Sequence, residues 1–304
     1  MFNLAGFDVR GKASFRDFTT FRLGGPCRCL ISCETPRQLE TAAGALAVAG
    51  EKFLLIGGGS NLLVSDDGLD MTIIRYYSEN PAIHHHGDVF EVDGATRLDD
   101  LVLFAVEHGL DGLIYASGIP GTVGGAIAGN AGAFGKQIGD RTESVLLMDR
   151  AGRKRWQNGK NLGFAYRHSR LQGNGEIVVT AVLKLQPGDP AELKKQRSEI
   201  LDLRWQKHPD WRKQPTAGSF FKNIEPTSAA ERRQAAGWFL EQAGAKSMHV
   251  GGARIFEKHA NIIVTEGECK AQDVLDLSRQ MASAVKAKFG FDLTPEVRVL
   301  GRFK

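Results

Sequence analysis

The residues best suited to chemistry begin with a glycine-rich stretch at residues 118–135, GIPGTVGGAIAGNAGAFG. It contains seven glycines, four alanines and no charged residue. Each glycine inside a regular element costs about 0.5–1 kcal/mol relative to alanine, so this composition is untypical of an ordinary helix or strand. Backbone without Cβ atoms can press its N–H groups against an anion, and each hydrogen bond to a charged partner contributes about 1.5–3 kcal/mol. The stretch therefore predicts a binding site for an anionic group such as a pyrophosphate.

Three other interpretations of the glycine stretch have to be weighed. Residues 112–135 are long enough for a bilayer span of about 20 residues, but Pro120 and Asn130 among so many glycines would leave backbone groups unsatisfied in lipid. Apolar residues such as Ile127 disfavour a flexible linker, whereas a tightly packed core without a ligand stays open. The spacing matches neither GxGxxG with its preceding strand nor the Gly-Lys-Ser/Thr end of a Walker loop.

A second glycine loop and three polar side chains could complete a site. Residues 57–62, GGGSNL, follow a short apolar strand directly, and α/β folds place ligands at such strand ends. Arg167 stands between aromatic residues in FAYRHSR, where it could clamp an anion or simply stack on Tyr166. Ser219 follows a glycine that predicts a turn, and no GxSxG elbow supports a hydrolase nucleophile. Glu296 lies near the start of the last predicted strand.

Cysteines and histidines form two further clusters, and neither predicts a metal site. Together with Ile31, Cys27, Cys29 and Cys33 recur at every second position, which places them on one face of a strand, and they form no CxxC pair. The consecutive histidines His84, His85 and His86 would point to alternating sides of an extended chain. A buried strand face and a solvated loop tip are the expected structures, and we expect no bound metal.

The composition is that of a soluble globular protein. The chain has 304 residues, 42% of them hydrophobic and 24% charged, which suits two or three domains. A net charge of +4 without a basic block does not predict a nucleic-acid partner. The first residues contain acids and no apolar signal core, so we expect a cytoplasmic protein. Four cysteines do not make a disulfide framework.

Hydrophobic patterning predicts the elements that must position these residues. Strands are predicted at 27–33, 53–56, 72–75, 89–92, 145–148, 177–185, 261–264 and 294–301. Helices are predicted from Thr35-Pro36 onward and at 97–108, 191–207, 229–243 and 271–289. The Pro- and Gly-rich segment 186–190 predicts a domain boundary.

Seven segments, in order, resemble the UDP-N-acetylenolpyruvoylglucosamine reductase family, flavoenzymes of peptidoglycan precursor synthesis. They are TTFRLGGP, IGGGSNLLVSD, GIPGTVGGAIAGNAGAFG, FAYRHSR, KQPTAGSFFKN, GGARIFEKHANIIV and TPEVRVLG. Each is weakly diagnostic alone, but the ordered set spans Thr19 to Gly301 and is specific. The short connection after Tyr166-Arg167 resembles the compact form of the family, which lacks a long substrate-covering loop.

The resemblance implies an α+β chain with a vanillyl-alcohol-oxidase-like FAD-binding fold. Residues 1–75 would form FAD-binding subdomain 1, and residues 76–188 subdomain 2 with the Gly-rich loop. Residues 189–304 would form the substrate-binding domain, whose C-terminal strand bears Glu296. The cofactors would be bound FAD and NADPH as hydride donor. The partner would be a UDP-linked enolpyruvyl sugar, with no nucleic acid and no membrane, and a monomer is expected.

The same resemblance assigns roles to residues at matching positions. Hydride from reduced flavin would reach the vinyl carbon of the enolpyruvyl group. Arg167 and a protonated Glu296 would stabilise the resulting enediolate. Ser219 would supply the proton that completes UDP-N-acetylmuramate. FAD would be held by Gly57, Gly58, Gly59, Ser60, Asn61, Leu62, Gly118, Ile119, Pro120, Gly121, Thr122, Gly124, Gly125, Ala128, Gly129, Asn130, Ala131 and Gly132. Substrate contacts are expected from Tyr166, Lys213, Lys222 and Asn223, with both lysines at the UDP phosphates.

The sequence departs from the family pattern at two places, and two alternative functions stay open. The segment between Pro215 and Ser219 is a few residues short, and Ile255-Phe256 replaces a pairing that usually carries a small polar residue. One alternative is an FAD-linked oxidase of a small alcohol or hydroxy acid on the same fold. The other is a non-catalytic nucleotide-binding module, which would be colourless.

Overall fold

The structure, a computed structural model, describes residues 6–225 and 233–304. Its helices are α1 (Pro36–Val48), α2 (Leu98–Glu107), α3 (Val123–Gly129), α4 (Pro190–Lys207), α5 (Ala236–Gln242) and α6 (Ala271–Phe289). Its strands are β1 (Asp8–Gly11), β2 (Cys27–Cys33), β3 (Phe53–Ile56), β4 (Leu62–Val64), β5 (Leu69–Tyr76), β6 (Ile83–His86), β7 (Val89–Asp93), β8 (Leu110–Asp111), β9 (Gly132–Ala133), β10 (Lys136–Gln137), β11 (Thr142–Met148), β12 (Lys154–Asn158), β13 (Ile177–Lys184), β14 (Gln186–Pro187), β15 (His249–Val250), β16 (Ala253–Ile255), β17 (Ile263–Thr265) and β18 (Arg298–Leu300). Short 3₁₀ turns lie at Phe15–Asp17, Ile114–Ala116, Ile138–Asp140, Gly159–Leu162 and Ala245–Ser247.

The chain divides into two compact units, and each is assembled from separate stretches of sequence. Unit one comprises Met1–Lys12, Arg28–Gly58 and Met71–Leu203. Unit two comprises Ala13–Cys27, Gly59–Asp70 and Arg204–Lys304. The division into parts at 1–75, 76–188 and 189–304 stays a prediction.

Unit one is built on two sheets. One has the strand order β1-β2-β5-β3, with β3 and β5 parallel, and the other is antiparallel with the order β12-β11-β13-β7-β6. Helix α1 begins where predicted, because the Thr35 side chain accepts from the backbone of Gln38 and Pro36 occupies the first turn. Leu39 and Leu46 on this helix are fully buried in a core cluster to which both sheets contribute. Burial of such a side chain contributes about 1.5–3 kcal/mol.

Unit two contains the sheet β15-β16-β17 and the parallel pair β4 and β18. Helix α6 matches the predicted range 271–289 and buries Val274, Leu277 and Met281 at helical spacing. Its first N–H groups, at Ala271 and Gln272, donate to the Asp66 carboxylate at 2.9 and 3.1 Å. A carboxylate at a helix N-terminus satisfies open donors and complements the helix dipole.

The predicted loop tip at the three histidines is wrong. His84, His85 and His86 lie in edge strand β6, paired with β7. The His85 ring stacks on Phe90 with centroids 5.6 Å apart and meets the His108 ring at 4.7 Å. These cross-strand ring contacts supply packing that local composition does not reveal.

Boundaries in the last third of the chain also differ from the prediction. Helix α5 begins at Ala236 rather than at residue 229, and residues 226–232 lie outside the described part. The predicted terminal strand shrinks to Arg298–Leu300, so Glu296 precedes the strand. The reason is that the backbone around Glu296 pairs with Phe220 and Phe221 instead of extending β18.

Two features bear on membranes and metals. Among the helices of residues 6–225 and 233–304, none combines the length and apolarity needed to cross a bilayer. Across the same ranges, no three His, Cys, Asp or Glu side chains are grouped so that they could hold a metal ion. Cys27 and Cys33 are buried on β2, and burial raises the pKa of the Cys33 thiol to about 12.

Stability should fall in acid because of His208. Burial, together with the neighbouring His259 ring at 5.6 Å, lowers the pKa of His208 from 6.5 to about 4. In the unfolded chain His208 takes up a proton below about pH 6.5, whereas in the folded chain it does so only near pH 4. The free energy of unfolding therefore decreases as pH falls from about 6.5 to about 4, by up to about 3 kcal/mol.

Denaturant unfolding followed by circular dichroism at several pH values tests this expectation. His208→Gln should flatten the pH dependence between about pH 6.5 and 4. His249→Gln, which alters an exposed histidine of β15, is the control and should retain the wild-type dependence. An unchanged slope in His208→Gln would show that another group causes the acid loss.

Candidate active site

The centre of the glycine stretch is a short helix, contrary to the expectation from its composition. In α3, the Thr122 side chain caps the helix by accepting from Gly125 N–H at 3.2 Å, and Val123 and Ile127 are fully buried. A Cβ at Gly124 would lie 3.1 Å from the Gly94 carbonyl oxygen. Close packing and the cap offset the helix-breaking cost of glycine at this position.

Within unit one, part of the second glycine loop packs against the start of α3. A Cβ added at Gly57 would lie 2.4 Å from Thr122 Oγ1, and one at Gly58 would lie 3.0 Å from Gly121 Cα. Side chains at these two positions would therefore push the segments apart. For the backbone N–H groups of Gly58, Gly121 and Thr122, the described residues supply no acceptor. These donors fit an anionic group such as a pyrophosphate.

Other N–H groups of the glycine stretch are used by the protein itself. Gly118 N–H donates to Asp99 at 2.7 Å, and Gly124 N–H donates to the Gly94 carbonyl at 2.9 Å. Arg197 grips the same Asp99 carboxylate through two hydrogen bonds of 2.7 and 2.8 Å. Although burial opposes it, these bonds leave the pKa of Asp99 below its ordinary value. Sequence reasoning missed this pair, because nothing local connects positions 99 and 197.

The end of the glycine stretch is tied to the loop that carries Arg167. Buried Asn130, with left-handed φ of +46°, donates from Nδ2 to the Ala165 carbonyl at 2.7 Å. Ser169, also buried, donates to the Ala128 carbonyl at 2.7 Å. Arg167 Nη1 donates to the Gly132 carbonyl at 2.8 Å. The sequence offers Asn130 as a cofactor contact, whereas its side chain holds the neighbouring loop in place.

Arg167 stacks on Tyr166, one of the two arrangements considered from the sequence, while its use as an anion clamp stays a prediction. Its guanidinium carbon lies 5.4 Å from the Tyr166 ring centroid, and its backbone has a left-handed φ of +52°. Ala165 and His168 exchange two backbone hydrogen bonds of 3.0 Å around this tight turn. A non-glycine residue in this conformation stores strain, and such strain is common at functional sites. The turn fixes the position from which the guanidinium is presented.

Unit two brings Ser219 and Glu296 onto adjacent backbone segments. Ser219 follows Gly218, whose φ is +76°, and pairs with Ile262 in an isolated bridge. The next residue, Phe220, accepts from Glu296 N–H at 2.8 Å. One buried residue thus separates the hydroxyl-bearing position from the segment that carries the carboxyl group.

Asn61 and Asn261 support this backbone pair. Asn61 Nδ2 donates to the Glu296 carbonyl at 3.0 Å, and the Asn61 carbonyl accepts from Arg298 N–H at 3.1 Å. Asn261, on the other side, hydrogen-bonds the backbone of Phe221. A buried asparagine inside a strand-like run is a signal that the sequence does contain, since asparagine is depleted in strands.

The remaining site candidates lie at the edges of these segments. Lys213 is exposed, whereas Lys222 is half-buried and donates its N–H to the Thr294 carbonyl at 2.9 Å. Asn223 Oδ1 accepts from Ala236 N–H at the start of α5. At the departure from the family pattern, Phe256 packs into a buried cluster with Ile262 and Val264. The unusual phenylalanine therefore serves core packing.

Two parts of the chain match known protein families. Residues 27–156 match an FAD binding domain, and residues 209–300 match the C-terminal domain of UDP-N-acetylenolpyruvoylglucosamine reductase. Reductases of that name are similar along nearly the whole chain. One from Trichormus variabilis is 35% identical, and the match covers 98% of this chain and 88% of the relative. Another, from Symbiobacterium thermophilum, is 36% identical, and the match covers 96% of this chain and 92% of the relative. This chain belongs to the UDP-N-acetylenolpyruvoylglucosamine reductase family.

The solved structures agree on the fold. The crystal structure of the reductase from Thermus caldophilus superposes with a TM-score of 0.80 at 32% identity and covers 97% of this chain and all of its own. The predicted α+β fold class, with its FAD-binding domain, is confirmed. The N–H groups of Gly58, Gly121 and Thr122 are donors that suit the pyrophosphate of FAD. The absence of side chains at Gly57 and Gly58 allows the two segments that carry these donors to lie close together.

Gly58→Ala should weaken FAD binding more than it weakens the fold. The added Cβ would meet the Gly121 backbone at 3.0 Å and push the two segments apart, which would displace their N–H donors from the bound anion. Loss of one hydrogen bond to a charged group, worth about 1.5–3 kcal/mol, should lower FAD affinity about tenfold or more. Flavin absorbance per protein and the dissociation constant for FAD are the measurements.

Gly44→Ala is the matched control for this substitution. Gly44 lies in α1, and a Cβ there meets no atom within 4 Å. It should retain FAD and gain about 0.5–1 kcal/mol of stability. Equal FAD affinity in Gly58→Ala and wild type would show that Gly58 takes no part in FAD binding.

Proposed function

We propose that the protein catalyses the NADPH-dependent reduction of UDP-N-acetylglucosamine enolpyruvate to UDP-N-acetylmuramate, in peptidoglycan precursor synthesis. The observation that carries this proposal is the pairing of the Ser219 and Glu296 segments through Phe220, in a chain of the reductase family. FAD, when bound, takes a hydride from NADPH and delivers it to the enolpyruvyl group. The residues of the chain then have to control charge and one proton.

Arg167 supplies fixed positive charge in the proposed reaction. Addition of hydride to the vinyl carbon places negative charge on the adjacent carbon and its carboxylate. A guanidinium stays protonated at any working pH and offers several donors in one plane. The hydrogen bond to Gly132 and the left-handed backbone hold it in one orientation before the charge develops, and a preorganised donor of this kind is worth most during reaction.

Ser219 delivers the proton in the proposed reaction. Its hydroxyl proton moves to the carbon that carries the ether oxygen, the new C–H bond completes the lactyl group, and solvent returns a proton to the serine oxygen. Serine is a weak acid, so the acceptor has to be a strongly basic carbanion held close to the oxygen. Glu296, in its protonated form, would donate a hydrogen bond to the substrate carboxylate and stabilise the same charge.

Lys213 and Lys222 are proposed contacts for the two phosphates of the UDP group, and Tyr166 and Asn223 for the rest of the substrate. Lysine binds phosphate as a point charge, which suits a flexible surface position such as the exposed Lys213. We place the enzyme in the cytoplasm, because NADPH and nucleotide sugars are metabolites of that compartment. A monomer stays an expectation from the family resemblance.

The proposed function is tested by steady-state kinetics on the purified yellow protein. NADPH oxidation should require the enolpyruvyl nucleotide and should produce UDP-N-acetylmuramate. Consumption of oxygen with a small alcohol or hydroxy acid, without turnover of the nucleotide, would instead favour an FAD-linked oxidase. A colourless protein would favour a non-catalytic nucleotide-binding module.

Ser219→Ala should separate the two half-reactions. Flavin reduction by NADPH should stay near the wild-type rate, while flavin reoxidation by the enolpyruvyl nucleotide should slow by about 10²–10⁴-fold, the usual worth of a positioned proton donor. Stopped-flow absorbance of the flavin measures both rates.

The control is Ser247→Ala, which removes an exposed hydroxyl bonded to the Gly244 carbonyl in the same unit. It should leave both rates unchanged. If Ser219→Ala slowed reduction and reoxidation equally, Ser219 would be a support of the fold or the flavin rather than a proton donor.

A further inference from the structure

Asn261 makes an unusually complete set of hydrogen bonds to the segment after Ser219. Its Nδ2 donates to the Phe221 carbonyl at 2.8 Å, and its Oδ1 accepts from Phe221 N–H at 2.9 Å. Its backbone carbonyl accepts from Phe220 N–H at 2.8 Å. The residue is 1% exposed. Both ends of the side-chain amide are therefore used to hold one stretch of backbone.

The segment held by Asn261 lies between the two proposed catalytic positions. Ile262, the next residue, bridges to Ser219, and Phe220 accepts from Glu296 N–H at 2.8 Å on the opposite side. The order across the backbone is thus Asn261, the Phe220-Phe221 segment and Glu296. A shift of the middle segment would displace Ser219 relative to Glu296.

We propose that Asn261 is a positioning residue that fixes the Ser219 hydroxyl for proton delivery. The inference rests on the proposed function. The Asn261 side chain uses one N–H donor and its oxygen acceptor on the backbone of Phe221, so in this proposal it acts through the position of Ser219. Misplacement of a reacting group by about 1 Å can reduce a rate about 10²-fold, which sets the effect expected when the amide pair is broken.

The titratable groups near Asn261 are a pair of histidines. Asn261 N–H donates to His259 Nδ1 at 3.2 Å, and the His208 ring lies 5.6 Å from that of His259. Burial lowers the pKa of both rings. The other charged groups that act on this pair are Glu241, Lys246, Lys207 and Arg204. The histidines therefore stay neutral above about pH 6.5.

Asn261→Asp tests the proposal because it keeps the shape of the side chain and changes one donor. The ionised carboxylate can accept from Phe221 N–H but cannot donate to the Phe221 carbonyl, whereas the protonated acid can do both. Burial raises the pKa of such a carboxyl group. The variant should reoxidise flavin with the enolpyruvyl nucleotide about 10²-fold more slowly than wild type near pH 8, and the deficit should shrink as pH is lowered to about 6.5.

Two further measurements separate positioning from structural damage. Flavin reduction by NADPH, measured on the same flavin-loaded Asn261→Asp sample, should match wild type within about twofold, since it needs no proton from Ser219. Adding Asn261→Asp to Ser219→Ala should cause little further loss, because both changes affect one step. Ser278→Ala removes a buried hydroxyl bonded to the Leu275 carbonyl in α6. It should lower the melting temperature without slowing reoxidation.

The outcomes decide the proposal. Equal slowing of both half-reactions in Asn261→Asp, no slowing of either, or a deficit that persists at the lower pH would overturn it. If Asn261→Asp does not fold, Asn261→Ser removes the amide pair with a smaller side chain and should show the same selective loss without recovery. A wild-type protein that fails to turn over the enolpyruvyl nucleotide would contradict the proposed function instead.

Discussion

The proposed FAD site depends on the close approach of two backbone segments, one at Gly57-Gly58 and the other at Gly121-Thr122. Gly58 leaves only 3.0 Å between a hypothetical Cβ and Gly121 Cα, and Gly57 leaves 2.4 Å to Thr122 Oγ1. With no Cβ at Gly57 or Gly58 the two segments lie close together, and among the described residues the backbone N–H groups of Gly58, Gly121 and Thr122 have no acceptor. The cost of ordering so many glycines is offset by buried Val123 and Ile127 and by the helix cap. The FAD site that we propose is therefore built from backbone geometry more than from side chains.

The proposed catalytic residues are positioned differently, by hydrogen bonds to the backbone of the segments that carry them. Arg167 is presented by a strained turn and held by the Gly132 carbonyl. Ser219 and Glu296 are separated by Phe220, whose N–H and carbonyl are both engaged. Each of these side chains depends on residues that carry no chemistry of their own. In the proposed reaction, these supporting contacts set the positions of the reacting groups.

Much of the fold follows from local sequence, and the failures have physical reasons. The start of α1 and the full extent of α6 are predicted by a Thr-Pro cap and by helical spacing of apolar residues. The strand at the three histidines and the loss of Glu296 from the last strand were not predicted, because ring contacts across β6 and β7 and pairing with Phe220 join distant positions. The helix in the glycine stretch was missed for the same reason, since Gly94 and the buried core stabilise it.

The site shows the same division between what local sequence reveals and what it does not. Residue types at Arg167, Ser219 and Glu296 are visible in the sequence as motifs of a family, whereas their partners are not. Nothing near Asp99 points to Arg197, and nothing near Ser219 points to Asn261. Many N–H groups of the glycine stretch that could have bound ligand are satisfied within the protein.

The most direct test of the account is an anaerobic titration of the wild-type protein followed by its visible spectrum. NADPH alone should bleach the flavin, and one equivalent of the enolpyruvyl nucleotide added afterwards should restore the oxidised spectrum with formation of UDP-N-acetylmuramate. A flavin that stays reduced after the nucleotide is added, and recovers only when oxygen is admitted, would contradict the account.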